Sequence, residues 1–181
     1  QYSMLNAASL ANERSYGVAK NIQELAFPDG RFSVEAWLKV AGKQDYGRLL
    51  SQYDHTLPGN AGRGWEVYIE ETGEVLFRVN DGAQDTALKS KQPLSVGKWT
   101  HLVCVSEGAG GKMRIYLNGA PDEATTAAPA SVRQVPVNLF VGRYPGGGRP
   151  FDGWVAEIRL SRAARQPTAA PNAPLDADAD T

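Results

Sequence analysis

Hydrophobic and polar residues alternate with a period of two through most of the chain. At that period successive side chains of a strand point to opposite faces. In "RFSVEAWLKV" Phe32, Val34, Ala36, Leu38 and Val40 share one phase, and Ser33, Glu35, Trp37 and Lys39 the other. "WEVYIEETGEVLFRVNDG" repeats the pattern twice. Trp65, Val67 and Ile69 alternate with Glu66, Tyr68 and Glu70; after a turn at Glu71-Thr72-Gly73, Val75, Phe77 and Val79 alternate with Leu76, Arg78 and Asn80. Strand, short glycine turn and return strand predict a hairpin. "KWTHLVCVS" and "GKMRIYLNG" predict a second, and "VNLFVG" and "WVAEIRLS" supply two further strands around "VGRYPGGGRPFDGW". No segment holds a helical period for three turns; "ASLANERSYG" comes nearest. Many short strands with glycine-rich turns predict an all-β sandwich of two sheets, and nothing recurs at a solenoid or propeller period.

Composition narrows the picture. At 181 residues the chain suits one domain with a full core. Nineteen basic and twenty acidic side chains give a net charge of −1, which supplies no global field toward nucleic acid. No apolar run approaches membrane-spanning length, so the chain reads as soluble, without membrane insertion. The single cysteine, Cys104, lies in "HLVCV" and reads as a small buried hydrophobe. The start "QYSMLN" has neither initiator methionine nor apolar signal core, as expected of a processed or excised fragment. The end, "RQPTAAPNAPLDADADT", has little to bury and reads as a linker or disordered tail over 166–181, leaving a folded unit at 1–165.

The three glycines at 146–148 raise the question of a phosphate cradle. Such a loop must run from a strand into a helix, whose N-terminal N–H groups hold the anion. Here "FDGWVAEIRL" follows, alternating like a strand, and no Lys-Ser/Thr pair succeeds the glycines. The loop reads instead as a wide connection between strands, with glycine permitting positive φ. Its composition still suits a ligand. Arg143, Tyr144 and Arg149 combine a flat ring with donor forks, as sugars require, since C–H faces stack on aromatic planes while hydroxyls take directed hydrogen bonds. The loop "QYDHTLPGNAGRGW" offers similar chemistry in Tyr53, Asp54, His55 and Trp65, with Arg63 beside them, and the two loops can meet at one edge of a sandwich. Glu66, Tyr68, Arg78 and Asn80 extend this candidate site along the polar phase of their strands. Glu35, Trp37, Glu70, Arg114 and Tyr116 share that phase and would join them on a concave sheet. His101 reads as a sheet residue with a satisfied ring. Two histidines far apart, without a Cys-x-x-Cys pair, make a poor zinc site.

The order of these segments carries a resemblance. "FSVEAWLKV", "LLSQYD", "GWEVYIEETGEVLFRV", "LSVGKWTHLVCV", "GKMRIYLNGAP", "LFVGR" and "FDGWVAEIRLSRAAR" together resemble a laminin-G-like domain of the concanavalin A-like lectin/glucanase superfamily, from about Leu10 to Arg165. Its most specific pieces are Gly97, Trp99 and His101, then Arg114, Tyr116 and Gly119, then Phe151 and Gly153 running into Glu157 and Arg159. The resemblance implies a jelly-roll β-sandwich of two curved antiparallel sheets. It also implies a calcium site with an Asp just before the Glu-x-Arg pair. This chain departs there, having Ala156, and the position of a second carboxylate is Asn12. Calcium favours several oxygens with negative charge among them; the chain therefore requires no cofactor, and only a weak structural calcium ion on carbonyl oxygens is left open.

The superfamily also includes glycoside hydrolases, which need two carboxylates flanking the scissile bond. Glu66 and Glu70 are spaced as in the Glu-x-Asp-x-Glu signature of laminarinase-like enzymes, but Tyr68 replaces the central Asp. The expectation is a non-catalytic carbohydrate-binding module of a larger bacterial protein, extracellular or at the cell surface. Its partners would be a glycan or polysaccharide and the neighbouring domains of the same protein. The alternatives are an adhesion or structural module with a protein partner and, third, a hydrolase using Glu66 and Glu70.

Overall fold

Residues 8–10, 15–20, 26–56 and 63–167 are described in the computed structural model. Their strands are, in chain order, β1 (Ala8–Ser9), β2 (Gly17–Ala19), β3 (Arg31–Val40), β4 (Gly47–Tyr53), β5 (Gly64–Ile69) and β6 (Glu74–Asn80). Then follow β7 (Asp85–Pro93), β8 (Trp99–Glu107), β9 (Lys112–Leu117), β10 (Ala120–Ala127), β11 (Leu139–Val141) and β12 (Gly153–Ser161). No helix occurs among the described residues. The first sheet has the order β1-β12-β3-β8-β9-β10 and the second β2-β11-β4-β5-β6-β7, with every ladder antiparallel. This is the two-sheet sandwich the alternation predicts, in the jelly-roll form the resemblance implies.

The inward phases meet between the sheets. Phe32, Val34, Ala36, Leu38 and Val40 of β3 face Trp65, Val67 and Ile69 of β5 and Val75, Phe77 and Val79 of β6 in one core. At its centre Phe27 stacks on Phe32 at 4.4 Å, and Trp65 and Phe77 each lie 5.6 Å from the Phe32 ring. Each such side chain, fully buried, contributes about 1.5–3 kcal/mol of apolar transfer. Cys104 sits in this core, where burial pushes its thiol well up and leaves it inert.

Both predicted hairpins form. β5 and β6 pair from Trp65↔Val79 to Ile69↔Val75 around a turn with Gly73 at φ 95°, and β8 pairs with β9 from Leu102↔Leu117 to Ser106↔Met113. β11 and β12, by contrast, lie in different sheets, so the triple-glycine connection crosses the sandwich edge. The short β11 takes its ladder from β2 and β4, while the longer β12 pairs with β3 and β1.

β7 and β10 carry weak apolar alternation and close the opposite edge of the sandwich. Asp122 of β10 accepts hydrogen bonds from the backbone N–H groups of Lys91 at 3.0 Å and Gln92 at 3.2 Å in β7, and from Ala124 at 2.9 Å. One buried carboxylate thus ties one sheet to the other. Asp122→Ala leaves these donors without it and should cost about 1–3 kcal/mol, read as a lower melting temperature with faster amide exchange at Lys91 and Gln92.

After β12 the chain turns back over the outer face of the first sheet. Ser33 donates its hydroxyl to the Ala163 carbonyl at 3.0 Å, Gln166 donates to Glu107 at 2.7 Å, and Ala164 packs on Val103, Val105 and Tyr116. This strap covers the β3–β9 end of that face. Most of the predicted linker, residues 168–181, lies outside the described residues.

Candidate functional site

The outer face of the second sheet is built around Glu66. Alternation turns this residue outward from β5, yet its side chain is 0% exposed. A carboxylate so buried must be neutralised by charge and hydrogen bonds. Its Oε2 accepts from Arg48 Nε of β4 at 3.1 Å and Ser51 Oγ at 3.4 Å, and lies 3.2 Å from His55 Nε2. Its Oε1 accepts from Arg78 of β6 at 3.2 Å. Burial alone would raise the Glu66 carboxyl; the His55 hydrogen bond and the Arg48 and Arg78 charges outweigh it and hold the group below the ordinary carboxylate range.

The guanidiniums in turn frame a ring. Arg48 lies 4.0 Å from the Tyr68 ring centre and Arg78 5.6 Å, and Arg78 also donates to the Tyr68 hydroxyl at 3.1 Å. Tyr53 donates its hydroxyl to Asp85 at 2.8 Å, and burial, reinforced by that carboxylate, pushes its phenol up to about 12. Asn80 donates to the same Asp85 at 2.9 Å.

Two loops close over this floor. The connection after β11 is clamped at its base by Phe151 N–H to the Gly142 carbonyl at 2.9 Å, and tied to β4 by Gly142 N–H to Leu49 and Arg48 N–H to Arg149, both 3.0 Å. Gly147 and Gly148, at φ 85° and 82°, make the turn that side-chain-bearing residues resist. Tyr144 at the loop's near side then meets His55 edge-on at 4.6 Å, and His55 lies 4.7 Å from Tyr53. Residues about ninety positions apart are thereby joined above Glu66.

The structure brings Tyr53, His55, Glu66, Tyr68, Arg78, Asn80 and Tyr144 together, with Arg149 at the rim. Arg149 pairs with Asp45 and lies 4.8 Å from the Tyr46 ring. Arg143 turns to the side, 3.7 Å from the Tyr16 ring. Asp54 bonds back to Thr56 N–H at 2.8 Å and shapes its own turn. Trp65 does not belong to the site. It is inward on β5, 1% exposed, with its indole N–H donated to Gln52 at 3.1 Å, because the core takes that phase. Loop residues 57–62 lie outside the described residues. Arg48, Ser51, Asp85 and Tyr46 complete the site without having been expected. Period two puts Arg48 in phase with the inward Leu50 and Gln52; a bulge between Arg48 and Leu50 turns it outward, across the ladder from Tyr68, and alternation gave no signal of it.

The single concave face expected for the polar phase divides in two, since β3, β8 and β9 belong to the other sheet. Glu35, Trp37, Arg114 and Tyr116 face outward there. Glu35 accepts from Arg159 Nε at 2.8 Å and lies 2.8 Å from His101 Nε2. Burial would raise its carboxyl, but His101 and Arg159 hold it below the usual range. The His101 ring is satisfied only on that side; its buried Nδ1 has no partner among the described residues.

Glu66 and Glu70 do not form a pair across a cleft. Glu66 has both oxygens engaged under the arginines, and Glu70 abuts the β5–β6 turn, its N–H bonded to the Glu74 carbonyl at 2.8 Å. At the calcium position the described donors do not fit that ion. Ala156 and Glu157 line a 220 Å³ recess with Leu10, Val141, Val155 and Ile158, largely apolar, and no cluster of three metal-ligating side chains occurs among the described residues. Asn12 lies outside them.

Two antiparallel six-stranded sheets with a ring- and guanidinium-lined outer face define a β-sandwich of the lectin-like jelly-roll class. The chain belongs to the concanavalin A-like lectin/glucanase superfamily, through the Laminin_G_3 family model, which matches residues 13–169. No curated protein matches the sequence. Among solved structures it is similar to a candidate carbohydrate-binding protein of Bacteroides ovatus, at 20% identity and TM-score 0.64, covering 91% of this chain and 45% of that one. It is similar to the CBM40 of Ruminococcus gnavus IT-sialidase bound to α2,3-sialyllactose, at 15% identity and TM-score 0.67, covering 91% and 92%. It also resembles domains LG4-5 of the mouse laminin α1 chain, at 19% identity and TM-score 0.63, covering 94% and 48%. The chain thus spans less than half the length of the first and last of these. No helix among the described residues is long and apolar enough to cross a membrane.

Proposed function

We propose that the chain is a non-catalytic carbohydrate-binding module, with its site on the outer face of the second sheet where the 53–56 and 143–149 loops meet. The observation that carries this reading is the contact of Tyr144 with His55 at 4.6 Å above the buried Glu66 ion network. It sets ring edges and an imidazole, carried by the two loops, over guanidiniums that Glu66 holds on β4 and β6, the combination by which a protein holds a hydroxylated ring without reacting with it. Glu66 serves as the counter-charge that positions Arg48, Arg78 and His55. Catalysis by Glu66 and Glu70 is disfavoured because Glu66 has no free oxygen to offer a substrate. The carbohydrate-binding proteins among the similar structures support the same class, and an extracellular or cell-surface setting beside other domains of a longer protein fits it.

A glycan array followed by affinity electrophoresis tests the proposal. Tyr144→Ala and His55→Ala should each weaken the bound glycan at least tenfold, with melting temperature little changed in Tyr144→Ala and lowered in His55→Ala, which removes a hydrogen bond from the buried Glu66, and EDTA should leave affinity unaltered. Wild-type affinity in both variants would place the site elsewhere, and silence across plant, algal, microbial and host glycans would favour a protein partner.

A further inference from the structure

Three of the chain's four tryptophans, Trp37, Trp99 and Trp154, stand on the outer face of the first sheet, where the core does not need them. The register places Trp154 of β12, Lys39 of β3 and Trp99 of β8 in one row across three neighbouring strands. The Lys39 ammonium lies 4.1 Å from the Trp154 ring centre and 5.5 Å from that of Trp99. It has no carboxylate partner among the described residues. Trp99 is 41% exposed. Trp37, two residues along β3, packs against His101 at 5.2 Å, so two indoles, Trp99 and Trp154, flank the lysine and a third stands on the same face. Among the described residues, the 162–167 strap contacts the far end of this face and not the tryptophan end.

We infer a second binding site here, independent of the one proposed above, for a glycan bearing carboxylate sugars. Trp99 and Trp154 are two strands apart, about 10 Å, roughly the reach of two linked pyranose rings. Grouped indoles that reach the surface, Trp99 exposed and Trp154 half-buried, mark a binding surface, and they match the C–H faces of sugar rings. The surroundings are mostly polar: Lys98 is exposed beside Trp99 and Ser9 extends the row across β1, with Val96 the one exposed large aliphatic near them among the described residues. They suit a narrow chain of hydroxylated rings rather than a broad apolar protein surface. The ammonium selects the charge. With three donors and two aromatic flanks, Lys39 can bond a carboxylate on its open side while keeping both ring contacts.

The test titrates the full chain with α2,3-sialyllactose and with a galacturonate oligomer, against lactose and the neutral galactose oligomer, by calorimetry and tryptophan fluorescence. At least one acidic ligand should saturate and bind tenfold or more tighter than its neutral counterpart. Lys39→Gln and Trp99→Ala should each weaken it at least tenfold without lowering the melting temperature, while Tyr144→Ala leaves it intact. The inference is overturned if neither acidic ligand binds or if the neutral sugars bind equally well. Wild-type affinity in Lys39→Gln and Trp99→Ala, or loss in Tyr144→Ala alone, also overturns it. So does concentration-dependent self-association that Trp99→Ala abolishes, since the face would then serve a second copy of the chain.

Discussion

Glu66→Ala should destabilise the fold by about 3–5 kcal/mol, because it strips the counter-charge from buried cations. Arg48, with a side chain 9% exposed, loses its carboxylate partner and, among the described residues, keeps the Tyr46 carbonyl at 2.7 Å and the Tyr68 ring. Arg78 and His55 lose the same group. For a chain of this size the melting temperature should fall by roughly 10 °C or more. Glu66→Gln keeps the volume and one acceptor oxygen and should fall between the two. The same carboxylate sets the acid limit. Its folded pKa lies below the ordinary 4.5, so its stabilising contribution is complete above that value and is lost as pH falls through the folded one. Glu35, held down by His101 and Arg159, has the same sign. Thermal melts should therefore lose stability steeply below about pH 4.5, less so in Glu66→Gln. A melt flat from pH 6 to pH 3 would contradict this account of both faces.

Period-two alternation made the sandwich legible, since β3, β5 and β6 each bury the phase it assigns to them. It failed for β7 and β10, which lie at sheet edges, face water along much of their length, and are held by Asp122 rather than by an apolar stripe. It also said nothing about which sheet a strand joins, and so merged two outer faces into one. The candidate site was legible as residue types, and the fold class allowed the two loops to meet without requiring it. The burial of Glu66 was not legible, because alternation counts phases within a strand and cannot register a loop that folds over them. A glutamate flanked on neighbouring strands by two arginines becomes recognisable only when Ser51↔Glu66↔Arg78 is known as a row. Both outer faces then prove to share one device, a buried glutamate with arginine and histidine partners, which keeps a polar sheet surface rigid.

The tryptophans show how the same residue type is used in opposite ways, and substitution should separate them sharply. Trp65→Ala should cost about 3–5 kcal/mol, combining lost transfer energy with a cavity beside Phe27 and Phe32. It also removes the donor to the Gln52 side chain, whose other contact, to the Val137 carbonyl, is long at 3.5 Å. Trp99→Ala, by contrast, removes a ring 41% exposed on the outer face and should shift stability by no more than about 0.5 kcal/mol. Urea unfolding of the two variants beside the parent chain checks both, with the midpoint expected to move far in the first and hardly in the second. Equal losses would mean that Trp99 is a packing residue held by Lys39 and Trp154 for the fold's own sake. A near-neutral Trp99→Ala means that the fold can spare this indole, which leaves it free to serve a ligand.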